Sequence, residues 1–161
     1  MRHGTGTEKW TDGAVYQGEY SEGKKVGRGV FRWADGSTYE GEFAENMIQG
    51  SGVYKWADGR VYDGQWRENK MEGEGVFIWE DGRRYEGQYL DDKKHGHGKF
   101  SWPDGRLYDG QWYDGRQHGV GTYTAADGRT RQGEWAEGKR VKWIDSGNST
   151  QGGDSKYSSR V

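Results

Sequence analysis

Residues 39–61 read YEGEFAENMIQGSGVYKWADGRV, residues 62–84 read YDGQWRENKMEGEGVFIWEDGRR and residues 85–107 read YEGQYLDDKKHGHGKFSWPDGRL. The three lines share one wording: YxGx followed by an aromatic residue, a polar segment, GxGx followed by Phe or Tyr, then xW and a closing DG. Working outward, the leading tyrosine recurs as Tyr16, Tyr39, Tyr62, Tyr85 and Tyr108, at a constant interval of 23 residues. A fixed period in this range means that one small supersecondary unit is stacked along an axis, with no single globular core. Function is then to be sought on a repeated surface.

The runs between glycines are at most five or six residues long and alternate, so they predict strands; they are too short and too glycine-rich for helices. Each repeat reads as a two-stranded hairpin, and the DG pairs at Asp35, Asp58, Asp81, Asp104 and Asp127 read as the tight turns into the next repeat. The expected fold is all-β: an elongated, single-layer, twisted antiparallel meander advancing roughly 10 Å per repeat. Alternation places Tyr39, Gly41 and Phe43 on one side of their strand, and Gly29, Phe31 and Trp33 on one side of the preceding strand. A strict two-residue turn at Asp35-Gly36 sets Arg32 opposite Tyr39 and splits these rings between faces, whereas a three-residue turn with a glycine bulge, the reading favoured, gathers them on one face and sets Trp33 opposite Tyr39 and Phe31 opposite Gly41. Rings then cover the strand glycines, and Glu40, Glu42, Gln65 and Arg32 face water.

Composition supports a core made of rings over glycines. The chain has 161 residues, 30 Gly, 9 Trp, 11 Tyr, few aliphatic side chains and a mean hydropathy of −1.27. So many aromatics at regular spacing argue against disorder, because each large ring can bury roughly 150 to 250 Å². The net charge of −2, with both signs interspersed, excludes a strong steering field toward nucleic acid. The lack of cysteine, of a long apolar run and of a leader reads as a soluble, cytoplasmic, unanchored chain.

The organisation expected is a half-repeat over residues 1–15, five repeats over 16–130, a degenerate capping repeat over 131–144 and a flexible Ser- and Gly-rich tail over 145–161. The half-repeat is either a cap or the sign of a longer chain. In the last unit Arg131 stands at the tyrosine position and Lys142 at the first glycine of GxG, while Gly133 and Trp135 keep phase; Ala125 replaces the tryptophan of the fifth repeat. Atypical terminal repeats are expected where a repeat core must be closed.

No catalytic constellation is expected. The GxG pairs are each followed by a strand, whereas a phosphate loop needs a helix N-terminus. His95 and His97 read as solvated loop residues, no metal or cofactor is implied, and the Asp and Glu residues recur in every repeat, as structural positions do. The rings are different, because a one-layer sheet leaves part of its aromatic face open, and such patches are binding sites. The candidate partner-binding residues are Phe43, Trp56, Trp66, Trp79, Tyr89, Trp102 and Trp112. An alternative set for anionic phospholipid is Lys24, Lys25, Lys93, Lys94, Lys139 and Arg140, in or near the polar segments, with acids such as Glu22, Asp91 and Asp92 offsetting it.

The phrase YxGxW, polar segment, GxGxF, W(A or P)DG at a 23-residue period resembles the MORN (membrane occupation and recognition nexus) repeat, over residues 3 to about 139. The resemblance implies a single-layer twisted antiparallel sheet that is itself not catalytic. Such arrays occur in junctophilins, plant phosphatidylinositol phosphate kinases, a histone lysine methyltransferase and protist cytoskeletal scaffolds. It also implies an aromatic groove able to hold a partner peptide, homodimers formed through array ends, and a proposed lipid role. Met47, Ile48 and Gln49 replace the usual basic residues of the polar segment, which argues against a lipid role for that segment. The function expected is a non-enzymatic scaffold that binds a helix or extended peptide along its aromatic face, in a cytoskeletal or membrane-associated assembly. The alternatives are a phosphoinositide-binding peripheral module and the regulatory arm of an enzyme whose catalytic domain lies outside this chain.

Overall fold

The computed structural model describes residues 1–144, so the tail expected over 145–161 lies outside the described residues. Thirteen strands make an antiparallel meander whose sheet order follows chain order. They are β1 (Gly4–Lys9), β2 (Val15–Ser21), β3 (Lys24–Arg32), β4 (Thr38–Ala44), β5 (Met47–Lys55), β6 (Val61–Arg67), β7 (Lys70–Ile78), β8 (Arg84–Leu90), β9 (Lys93–Ser101), β10 (Leu107–Tyr113), β11 (Arg116–Thr124), β12 (Thr130–Ala136) and β13 (Lys139–Ile144). The described residues contain no helix. The chain divides into two compact units, Met1–Glu80 and a second beginning at Asp81.

The strands are longer than the sequence suggests, seven and nine residues rather than five or six. The polar segment is not a loop. It contracts to two residues, such as Glu45-Asn46 (φ 52° and 69°) and Glu68-Asn69 (φ 49° and 69°), both left-handed as a type I′ turn requires. These turns lean on the preceding hairpin: Asn69 Oδ1 accepts from the Ile48 amide at 2.8 Å and the Asn69 amide donates to the Ile48 carbonyl at 2.9 Å.

The connection between repeats is a three-residue turn, as expected. Trp33 donates its amide to Ser37 at 2.9 Å, Gly36 donates to Trp33 at 3.1 Å, and Gly36 takes φ 96°. The expected register is corrected by two residues: because Trp33 closes the turn with Ser37, Phe31 lies opposite Tyr39, and Gly29 opposite Gly41. A two-residue slip preserves parity, so the rings still share one face. A second irregularity follows in each hairpin, where Gly41 pairs with Gly52 but Phe43 pairs with Ile48. There Gly50 takes φ 81° and Glu42 accepts the Ser51 amide at 3.3 Å; Gln65, Gln88 and Gln111 do the same for Glu74, His97 and Val120 at 2.8 to 2.9 Å. Glu42 and Gln65 therefore hold a bulge, rather than simply facing water.

The core is the tyrosine column. Tyr16, Tyr39, Tyr62, Tyr85 and Tyr108 are fully buried, and each donates its hydroxyl to the carbonyl three residues on, Tyr62 to Gln65 at 2.9 Å for example. Each ring lies across a facing glycine pair; a Cβ on Gly52 or Gly75 would overlap the hydroxyl of Tyr39 or Tyr62. In the first unit Tyr39 meets Phe43 of its own repeat (5.2 Å, 89°) and Trp66 of the next (5.7 Å, 86°) edge-on. In the second, Tyr108 meets Trp112 and Trp135 in the same way. Such pairs add about 0.5–1.5 kcal/mol beyond burial, so the rings join successive repeats.

The last hairpin departs where its sequence does. With Lys142 at the position where glycine takes positive φ in earlier repeats, the bulge shortens and Trp143 pairs with Gly133. Arg131 and Arg140 hold their guanidinium carbons 4.3 and 4.2 Å from the Trp143 centroid.

Candidate partner-binding face

All seven candidate rings lie on the tyrosine side of the sheet, but at two depths. Phe43, Trp66, Tyr89 and Trp112 are 5 to 7% exposed. Trp66 and Trp112 also donate Nε1–H to the carbonyls of Gly52 and Gly98 in the preceding repeat, at 3.1 and 3.0 Å. They form the floor. Trp56, Trp79 and Trp102 are only half-buried and sit one residue before each turn, where alternation lifts them toward the rim.

The half-buried tryptophans belong to a continuous ring row. In the first unit it runs Trp10, Phe31, Trp33, Tyr54, Trp56, Phe77 and Trp79, with centroid spacings of 4.4 to 5.3 Å. In the second unit Phe100 and Trp102 repeat the motif at 4.5 Å. Arginines of the turns fix the outermost ring: Arg60 lies 5.0 Å from the Trp56 centroid and Arg106 4.9 Å from that of Trp102. The same guanidiniums pair with Asp58 and Asp104 at 2.9 and 2.8 Å. The acids consequently sit below the ordinary carboxylate value of 3.8, Asp58 through the side-chain bond from Arg60 and Asp104 chiefly through the Arg106 amide. Trp56 and Trp102 are thus held in place before any partner arrives.

Sequence reasoning missed Phe31, Tyr54 and Phe77 as members of this row. Their GxGx(aromatic) signature pointed to them, but the expected register set the rings one step out of line. It also missed that the second position after the two-residue turn faces the rings. Lys25, Ile48, Met71, Lys94, Gln117 and Arg140 occupy it at the same 23-residue interval, opposite Tyr20, Phe43, Trp66, Tyr89, Trp112 and Trp135 on the ring face.

This parity splits the alternative phospholipid set. Lys24, Lys93 and Lys139 lie exposed at the turns, where Lys24 pairs with Glu45 at 2.6 Å and Lys93 with Asp114 at 2.9 Å. Lys25, Lys94 and Arg140 point inward onto rings. The Lys25 ammonium is 5.4 Å from the centroids of Trp10 and Tyr16, and that of Lys94 is 5.6 Å from Tyr85 and Trp112. Burial pulls the Lys94 ammonium below its ordinary pKa, with a smaller contribution from the charge of Arg83.

On the opposite face, His95 and His97 lie in β9 rather than in a loop. His97 Nε2 is 2.7 Å from Asp109, and the His95 ring neighbours Tyr113 at 5.7 Å. Among the described residues no group of three or more His, Asp or Glu side chains could hold a metal.

The comparisons agree with the repeat geometry. The MORN-repeat model matches six segments, residues 1–15, 16–38, 39–59, 62–83, 85–105 and 108–128. Among curated proteins, none matches the sequence. Solved structures with a similar chain course include the wild-type TCP10 domain of CPAP from Danio rerio, at 16% identity, with 88% of this chain and 73% of that one covered and a TM-score of 0.35. A point mutant of the same domain gives 17% identity, 88% and 72% coverage and a TM-score of 0.34. With its period, turns and glycine-covering tyrosines accounted for by one repeated unit, this chain belongs to the MORN-repeat family.

Proposed function

We propose that this chain is a non-enzymatic adaptor whose ring face captures a protein segment, helical or extended. The observation that carries the reading is the row of half-exposed tryptophans, Trp56, Trp79 and Trp102, each resting on a neighbouring aromatic ring. Rings fixed by their neighbours lose little entropy on binding, so apolar burial against them converts efficiently into affinity. The buried rings beneath serve stability and contribute to binding only as a floor. A membrane-surface role through the lysines is the weaker reading, because Lys25, Lys94 and Arg140 face the rings, and Lys24 and Lys93 carry acidic partners. We extend the proposal to a cytoplasmic setting, on a cytoskeletal assembly or the cytoplasmic face of a membrane; its support is a chain without cysteine.

The test is selection of binding peptides from a displayed library, followed by calorimetry with the full chain and with its Trp79→Ala and Trp102→Ala variants. We expect each variant to keep the β-sheet dichroism and to lose at least about tenfold in affinity, as truncated aromatic anchors do. Undiminished affinity in both variants overturns the reading. Flotation with liposomes containing phosphatidylinositol bisphosphate at physiological salt should find no binding; flotation lost on neutralising Lys93 and Lys139 would establish the membrane module instead.

A further inference from the structure

The sequence as a whole has a net charge of −2, yet cationic side chains stand on the ring face of the second unit. Lys94 points onto it with its ammonium 5.6 Å from Tyr85, 5.8 Å from Phe100 and 5.6 Å from Trp112. Arg106 covers Trp102 with its charge offset by Asp104 at 2.8 Å, and Arg131 and Arg140 cover Trp143. The strand carboxylates Glu86, Asp109 and Glu134 stand between ring-face positions in the register and so point to the other side. Beside Lys94 lies a cavity of about 490 Å³ whose walls include Phe100, Trp102 and Trp112 together with Arg116, Lys139 and Glu137. Glu137 lies 3.8 Å from Arg116, which offsets its charge. Three cationic side chains and one carboxylate thus line the basin.

We propose that the ring face of the second unit selects a protein segment carrying Asp or Glu side chains beside its apolar residues, with Lys94 receiving one of those carboxylates in the basin. The inference rests on the reading that the ring face binds a protein segment, and it names that segment's chemistry. An ammonium partly withdrawn from water gains more from a carboxylate than an exposed one does, because a charge-assisted hydrogen bond strengthens as the surroundings dry. The flanking rings take the apolar residues of the same segment. A basic segment meets like charge, which is a source of discrimination in itself.

The position of Lys94 is well suited to a test, because the chain already holds other side chains at the equivalent places: Met71, Gln117 and Arg140. Lys94→Met, Lys94→Gln and Lys94→Arg are therefore substitutions that the repeat accommodates, and thermal melts of the full chain verify it. The probes are three synthetic amphipathic helices of equal length, leucine on one face and Glu, Gln or Lys at all flanking positions, titrated calorimetrically. We expect the Glu helix to bind about tenfold or more tighter than the Gln helix, and the Lys helix weakest. Lys94→Met and Lys94→Gln should reduce the Glu helix to the level of the Gln helix and leave the latter unchanged, while Lys94→Arg keeps the preference. Equal binding of the Glu and Gln helices, or a Glu preference that survives Lys94→Met, overturns the inference. If that equal binding is lost in Trp102→Ala, the ring-face reading stands without acid selectivity; if binding ignores both Lys94 and Trp102, or no helix binds, both fall. Phosphatidylserine vesicles are the last arm, and Lys94-dependent vesicle binding with no Glu-helix preference overturns the inference in favour of a lipid surface.

Discussion

At the scale of single residues the repeat is governed by one mutual dependence: a buried tyrosine needs two facing glycines, and the glycines need the ring. Gly52 has no room for a Cβ beneath Tyr39, whereas the nearest atom to a Cβ on Gly6 would be 3.8 Å away. Gly52→Ala should therefore displace Tyr39 and destabilise by about 3 kcal/mol, at the upper end of overpacking costs. Gly6→Ala should fall within about 0.5 kcal/mol of the parent. Urea unfolding of the two variants checks the pair, and similar midpoints would show that the ring does not fill the glycine gap. Tyr62→Phe probes the other half, since it keeps the ring and leaves the Gln65 carbonyl without its 2.9 Å donor; about 1 kcal/mol should be lost. This dependence was legible in the sequence, because Tyr and both glycines recur in phase in five repeats. What was not legible is the inward role of Lys94: it directly follows the exposed Lys93, and parity in the strand depends on where the turn ends.

At the scale of the element, two turns alternate, and they explain which part of the geometry could be read. The DG turn was legible, since Gly36 takes the positive φ that such a turn requires. Its register was not, because the letters ADG do not reveal that Trp33 and Ser37 close the hydrogen bond. The second turn was hidden further. Glu45-Asn46 and Asp91-Asp92 are polar pairs that a loop would also use, and their left-handed conformation is known only once the flanking strands pair. Hence the strands were read as short and the residues after the turn as loop. Asn69 tests the turn itself, with φ 69° and its side chain accepting from Ile48. Asn69→Ala should cost about 1–2 kcal/mol from the left-handed backbone, plus the lost bond. Asn69→Gly should be milder, since glycine occupies the equivalent place at Gly115 and Gly138. A stability ranking of Asn, then Gly, then Ala in thermal melts is the expected result, and Ala equal to Asn would mean the turn is not strained.

For the molecule as a whole, repetition turns single-site ionisation into a collective response, because Tyr16, Tyr39 and Tyr108 shift one way together and the turn aspartates Asp35, Asp58, Asp81 and Asp104 the other. Burial raises the pKa of Tyr16 from 10.0 to about 12 and pushes Tyr39 and Tyr108 up as well. A raised folded pKa means the neutral phenol is favoured in the sheet, so its contribution is complete below pH 10 and disappears as pH climbs through the folded values. At the acid end the order reverses. Hydrogen bonds from the Ser37 and Arg60 side chains and from the Arg83 and Arg106 amides hold Asp35, Asp58, Asp81 and Asp104 below 3.8. Their contribution is complete above that value and is lost as pH falls through the folded ones. These aspartates are exposed, so the acid effect is the shallower of the two. Melting temperature against pH should accordingly be flat from about 5 to 9, decline gently below 4 and collapse above 10. The decisive observation is at the alkaline side: tyrosinate absorbance from the buried column should rise in step with loss of the sheet dichroism. Ionisation of all tyrosines near pH 10 with the sheet intact would mean that the column is accessible to hydroxide, and that the rings do not form the closed floor on which the open tryptophans rest.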